Sequence, residues 1–245
     1  YYIAKKQQLL AQADKATLHE YNADCGTVPV LRLYGEPEGM GRQYGALVGD
    51  RALRNAGRLA RIFAEEGLPE VIIERILNNA WERMAPYVPD AFLAEMTGMV
   101  TGARKASVPL GIDAVRRLVA ATNLDMYKRE ERILELIDEE TAALIADTQG
   151  MSPMQCTFFA LWGSRTVEGK MLSMRNLDWL SQTGMHEDRL ITAYHPEDGV
   201  PFVSMGYAGV IGCLAGMNAA GVSFSQIGAF SASEELDGIP WTCLL

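Results

Sequence analysis

A chain of 245 residues that is 49% hydrophobic and 22% charged has the composition of a folded protein, either one large domain or two modest ones, and not of a disordered chain. The net charge of −9 argues against non-specific binding to nucleic acid or an anionic membrane, and no apolar run reaches the roughly 18 residues that suggest a transmembrane helix. Cys25, Cys156, Cys213 and Cys243 are too widely spaced for a disulfide scaffold or a zinc site, and His19, His186 and His195 are few candidates for any chemistry that needs a histidine partner.

The chain opens at Tyr1 without an initiator Met or a signal pattern, so a removed upstream segment or a late start is expected. The compartment stays open: soluble, either cytoplasmic or exported after that removal. Residues 3–21 read as a helix of mixed polarity, and 28–34 alternate as a short strand. Residues 35–41 are turn-rich and lead to a helix over 44–66, with Leu47, Leu53, Leu59, Ile62 and Phe63 near helical spacing. Gly67 and Pro69 end it, and Pro69 suits the first turn of a helix over 69–84. Pro86 and Pro89 break that helix. Helices over 90–106 and 112–127 follow, the second helped by Asp113 near its positive end. Residues 129–146 form a charged amphipathic helix with Ile133, Leu136, Ile137 and Leu144 on one side.

The pattern changes at Thr148, where the period shortens and glycines become frequent. Strands are expected over 157–164 and 171–177, joined by a tight turn at Glu168-Gly169, then over 190–194 and 202–205. A hairpin-like pair, 210–217 and 222–227, surrounds Asn218 to Gly221. Helices first and strands after make this an α+β chain, divided into a mostly helical front segment, 1–155, and a β segment, 156–245.

Cys156 opens the first of these later strands. A lone cysteine there can be a small buried hydrophobe. The small and polar residues before it (Thr148, Gln149, Gly150, Ser152, Pro153) instead suggest an exposed connection where a chain can be cut. Folding at Glu168-Gly169 carries Arg175 and Asp178 back toward the cysteine. A two-residue turn sets Asp178 opposite Phe159, which leaves it about 10 Å from Cys156 along the strand at about 3.3 Å per residue. Arg175 and Asp178 also point to opposite faces of a regular strand, so a bulge or an early strand end is needed to bring both to the thiol.

Cys156-Thr-Phe-Phe-Ala-Leu-Trp-Gly-Ser-Arg-Thr-Val-Glu-Gly-Lys170, followed by Met174-Arg-Asn-Leu-Asp-Trp179, resembles the penicillin acyltransferase-like branch of the N-terminal nucleophile (Ntn) hydrolases. Gly216-Met-Asn218-Ala-Ala-Gly221-Val222 is similar to its Gly-x-Asn-x-x-Gly hairpin. Gly39-Met-Gly41-Arg-Gln-Tyr-Gly45 is similar to its front-segment Gly-x-Gln-x-Gly motif. The resemblance spans about residues 28–228 and implies an αββα sandwich. Cys156 to Leu245 is shorter than that family's catalytic domain, so the C-terminal part of the fold, with a later asparagine and arginine of the site, is expected beyond Leu245.

The resemblance implies self-processing. Cys156 attacks the carbonyl of Gln155, an N-to-S acyl shift gives a thioester, and water releases a new N-terminus. The freed α-amine, with a reference pKa of about 7.7–8.0, then serves as proton acceptor near neutral pH. Arg175 favours the sulfur anion, Asp178 orients the α-ammonium group, and Asn218 donates to the oxyanion. The expected partners are a small acyl-amide substrate and the chain's own cleaved segments. No metal or organic cofactor is expected, and coenzyme A enters as cosubstrate only if transfer dominates.

Without the motif, Asp178 and Asn218 are ordinary turn residues and Arg175 a surface salt-bridge partner. Cys25, Cys213 and Cys243 read as structural, Trp162 and Trp179 as core, His186 and His195 as solvated, and the glycines from 206 to 212 as strand turns. Two further readings stay open: a lipid-amide hydrolase of the acid-ceramidase type, and a non-catalytic helical and β interaction protein with Cys156 a buried thiol. A bile-salt or penicillin V amidase is disfavoured by the long front segment.

Overall fold

The computed structural model describes residues 16–24, 26–65, 69–124, 155–178, 183–228, 235 and 237–244. Two strands come first, β1 (Thr17–Ala23) and β2 (Gly26–Gly35), then four helices, α1 (Pro37–Glu65), α2 (Glu70–Met84), α3 (Asp90–Lys105) and α4 (Ile112–Leu124). Strands β3 (Gln155–Leu161) and β4 (Leu172–Asp178) form a two-stranded sheet of their own. Strands β5 (Arg189–Pro196), β6 (Phe202–Tyr207), β7 (Ala215–Asn218) and β8 (Ser223–Ser225) join β1 and β2 in a six-stranded sheet of order β1-β2-β5-β6-β7-β8. The chain is α+β.

The boundary at 155/156 does not divide the large sheet. β2, from the front segment, pairs in parallel with β5, from the rear one, with Val30 facing Ile191 and Gly35 facing Pro196. The other pairings of the large sheet are antiparallel. Leu31, Leu33, Leu190 and Tyr194 are buried and join α1 and α3 in one core with Tyr44, Val48, Met96 and Met99. Met205 and Met217, two apolar side chains of β6 and β7, are exposed.

Helix α1 starts at Pro37, seven residues before the expected position 44, with Glu38 in its first turn. Gly41, expected in a turn, serves close packing instead, as do Gly45 and Gly102 inside the expected helices. A Cβ at Gly41 would lie 2.1 Å from the Glu95 carbonyl oxygen, and one at Gly45 1.9 Å from that of Met99. From the other side, a Cβ at Gly102 would lie 2.0 Å from the Arg42 carbonyl oxygen. The backbones of α1 and α3 therefore touch, which no residue with a side chain permits.

Residues 17–21 form part of β1 and not the end of a helix, because pairing with β2 from Thr17–Arg32 to Ala23–Gly26 satisfies their backbone. Residues 1–15 of that expected helix, and the helix over 129–146, lie outside the described residues. Helices α2 to α4 agree with expectation, and α2 buries Ile72, Ile73, Ile76, Leu77, Ala80, Trp81 and Met84 on one face. Strand β7 is shorter than expected. Residues 208–213 turn at Gly209 (φ 93°) and Gly212 (φ 87°), and the Cys213 N–H donates to the Thr242 carbonyl at 2.9 Å.

Ion pairs fix α1 to the turn before β5. Arg54 Nη2 and Arg58 Nη1 lie 2.7 and 2.5 Å from the two oxygens of the buried Asp188 carboxylate. Burial alone raises the Asp188 carboxyl, but the bonds and charges of Arg54 and Arg58 outweigh it and hold it below the usual range. Glu95, on α3, is buried and accepts a bond from Tyr194 Oη at 3.0 Å. Burial pushes its carboxyl up to about 7, against the opposing effect of that bond. Among the described residues no helix is long and apolar enough to cross a membrane.

Candidate active site

The β3–β4 ladder differs in register from expectation. Cys156 faces Leu177, Phe158 faces Arg175, and Gln155 faces Asp178. The connection is not a two-residue turn at Glu168-Gly169. It holds two short helical turns, Gly163–Arg165 and Val167–Gly169, with Gly163, Glu168 and Gly169 at positive φ. This longer loop moves the pairing until Asp178 stands beside Cys156 rather than three residues away, and no bulge is involved.

Alternation along each strand puts Cys156, Phe158, Arg175 and Leu177 on one face. Arg175 is the diagonal neighbour of Cys156, within reach of a long side chain. Its Nη2 donates to Cys156 Sγ at 3.2 Å. The same nitrogen donates to Gln226 Oε1, just past β8, at 3.1 Å. Arg175 Nε is buried and has no acceptor among the described residues. At the end of β6, burial pushes the Tyr207 phenol up and the Arg175 charge opposes that rise. The guanidinium thus bridges the hairpin and the large sheet.

Asp178 lies on the opposite face and is exposed. Asn176 Nδ2 donates to its Oδ1. Asn218 ends β7, and its Oδ1 accepts the N–H groups of Ala220 at 3.1 Å and Val222 at 3.0 Å, closing the turn into β8. Its carbonyl oxygen is thus used in the turn, and among the described residues it has no hydrogen bond to Cys156. The structure unites Cys156 with Arg175, sets Asp178 across from Gln155, and leaves Asn218 in a turn.

Cys156 is half-buried. Cys213 is buried, and its Sγ donates to the Ala215 carbonyl at 3.2 Å. Burial pushes the Cys213 thiol up, and the Cys243 thiol up to about 11. Both suit structural roles. Cys25, Trp179 and the connection over 148–153 lie outside the described residues. Trp162 is exposed at the hairpin tip, not core, because the hairpin leaves both of its faces largely uncovered. His195 is not in a solvated connection. It lies in β5, its ring stacks on Tyr34 at 4.6 Å, and burial followed by the Arg32 charge pushes its imidazole below the usual value. His186 is exposed, as expected.

Sequence reasoning missed Gln226 and Tyr207. Gln226 is 51 residues from Arg175 in the chain, and nothing but one more polar letter after Ser223-Phe-Ser225 marks it.

The chain is similar to an uncharacterized protein of Archaeoglobus fulgidus, 28% identical over 211 residues, which cover 84% of this chain and 34% of that protein. It is also similar to Protein dcd1B of Dictyostelium discoideum, 23% identical over 221 residues, which cover 86% of this chain and 40% of that protein. The chain thus spans well under half the length of these curated relatives. No family model matches the sequence.

Proposed function

We propose that Cys156 is the nucleophile of a self-processing amide hydrolase or acyltransferase of the Ntn type. The observation that carries this reading is the 3.2 Å contact from Arg175 Nη2 to Cys156 Sγ. A guanidinium stays charged across the working pH range and stabilises negative charge on the adjacent sulfur.

In the processing step the Cys156 sulfur attacks the Gln155 carbonyl carbon. A C–S bond forms, the C–N bond between Gln155 and Cys156 breaks, and the departing nitrogen takes up a proton. Water then cleaves the thioester, giving a Gln155 carboxylate and a free Cys156 with an α-amine. In turnover that amine accepts the thiol proton, the sulfur takes the acyl group of an amide, and the protonated amine of the substrate leaves. Water, or an acceptor amine, removes the acyl group.

Asp178 stands across from Gln155, so loss of Gln155 frees the new α-ammonium to turn toward this carboxylate. Phe158 lies on the Cys156 face and is exposed, which favours amides with an apolar acyl chain, the lipid-amide class included.

Intact-mass spectrometry tests the reading. Wild-type protein is expected as two pieces that part between Gln155 and Cys156, and Cys156→Ala as one. A single uncut chain, unreactive at Cys156 under the same conditions, would overturn it.

A further inference from the structure

We infer that Gln226 is a positioning residue, whose side-chain carbonyl holds the Arg175 guanidinium against the Cys156 sulfur; the inference rests on the reading of Cys156 as nucleophile. The residue is itself held in place. Its backbone N–H donates to the Leu214 carbonyl at 3.1 Å, which fixes it to the edge of β7 just beyond the last paired residues of β8. From there Oε1 accepts from Arg175 Nη2 at 3.1 Å, the same nitrogen that reaches Sγ at 3.2 Å.

A long arginine side chain has many rotamers, and holding one of them costs entropy. A fixed acceptor on a different sheet selects the rotamer that faces the sulfur. With Arg175 Nε lacking an acceptor among the described residues, the guanidinium is held by its outer nitrogen, where Gln226 and Cys156 meet. The chemistry of the acceptor matters. A neutral amide orients the guanidinium and leaves its charge uncancelled, whereas a carboxylate at this place would offset the field at the sulfur. Gln226 therefore acts through Arg175 and also locks the hairpin to the large sheet.

The test is a double-mutant cycle on the whole chain, read as the second-order rate of Cys156 alkylation by iodoacetamide at pH 7, followed on the Cys156 peptide by mass spectrometry. Gln226→Met keeps the length of the side chain and removes the acceptor. It is expected to slow alkylation roughly threefold to tenfold, the weight of one ordinary hydrogen bond. Arg175→Met slows it further, and the double variant is expected to be no slower than Arg175→Met alone. Wild-type alkylation also slows with added salt, and Gln226→Met flattens that dependence. Gln226→Ala runs the same cycle if Met cannot be accommodated. A natively melting Gln226→Met that alkylates at the wild-type rate, or single effects that add in the double variant, overturns the inference. Cleavage after Gln155 is scored in the same samples. Coupling without cleavage keeps the Gln226–Arg175 link and removes the self-processing reading. Cleavage with additive effects does the reverse.

Discussion

Gln155 and Asp178 are cross-strand partners, so the bond ahead of Cys156 lies inside a paired strand. Paired residues of an antiparallel ladder have Cα atoms about 4.5–5.5 Å apart. In the uncut chain the Asp178 carboxylate is occupied by Asn176 on the face away from the thiol. If its role is to orient the α-amine, that role begins after cleavage. Asp178→Asn is therefore expected to lower hydrolysis of an acyl-amide panel roughly a hundredfold, the low end of an acid–base group's contribution because Asp178 acts through the amine, while Cys156 stays open to alkylation. Equal hydrolysis by the variant would remove Asp178 from the site.

The parallel pairing of β2 with β5 joins polypeptide from both sides of the Gln155–Cys156 bond. Arg54 and Arg58 on α1 also hold Asp188 across it. The two pieces left by cleavage are expected to travel together on size exclusion in native buffer and to separate in urea. Separation in native buffer would contradict the shared sheet and core.

Helices α2 to α4 were legible because their signals are local: Pro69 and Pro89 at the starts, and apolar side chains at helical spacing between them. The start of α1 was not, because Gly41 carries no local mark that separates a turn from a helix contact. Its role depends on α3, far along the chain. Strand β1 has a mixed-polarity sequence and owes its form to the β2 edge. Within the site, Cys156 and Arg175 were found through a motif. Their register was missed because loop length, not strand pattern, sets it. Gln226 meets Arg175 through tertiary structure alone.

Gly45→Ala tests the contact of α1 with α3. The added methyl would lie 1.9 Å from the Met99 carbonyl oxygen, a backbone atom that cannot swing aside. The helices must separate, at a cost of about 3 kcal/mol. Gly57→Ala, on the same helix with nothing within 4 Å of the added atom, is the matched control and is expected to be neutral or slightly stabilising. Urea midpoints of the two variants should fall on opposite sides of, or well apart from, each other. Equal midpoints would mean that the backbones do not touch.

Asp188→Asn leaves the half-exposed Arg54 and the more buried Arg58 without their shared anion. The expected loss is roughly 2–3 kcal/mol at pH 7, below the full penalty of a buried pair because water reaches Arg54. The folded-state carboxyl lies below its unfolded value of about 3.9. Its contribution is thus fully present above that pH and is lost as pH falls through the lower folded value. Urea melts of wild type and variant should differ at pH 7 and converge as the pH falls below the folded value. A gap that persists unchanged in acid would assign the loss to packing and not to charge.

Glu95 gives the opposite pH dependence. Its carboxyl is buried under the large sheet, accepts a bond from Tyr194, and is pushed up to about 7 from an unfolded value of about 4.3. Between those two values the folded state holds a proton that the unfolded chain has released, so stability falls as pH rises through this window and levels off above it. Glu95→Gln keeps an acceptor for Tyr194 Oη and has no proton to lose. It is expected to match the wild type near pH 4 and to exceed it above pH 7 by up to about 4 kcal/mol. Urea melts from pH 4 to pH 8 decide it. Parallel curves for the two proteins would show that the carboxyl is not held protonated by its burial, and that some further group compensates its charge beneath β5.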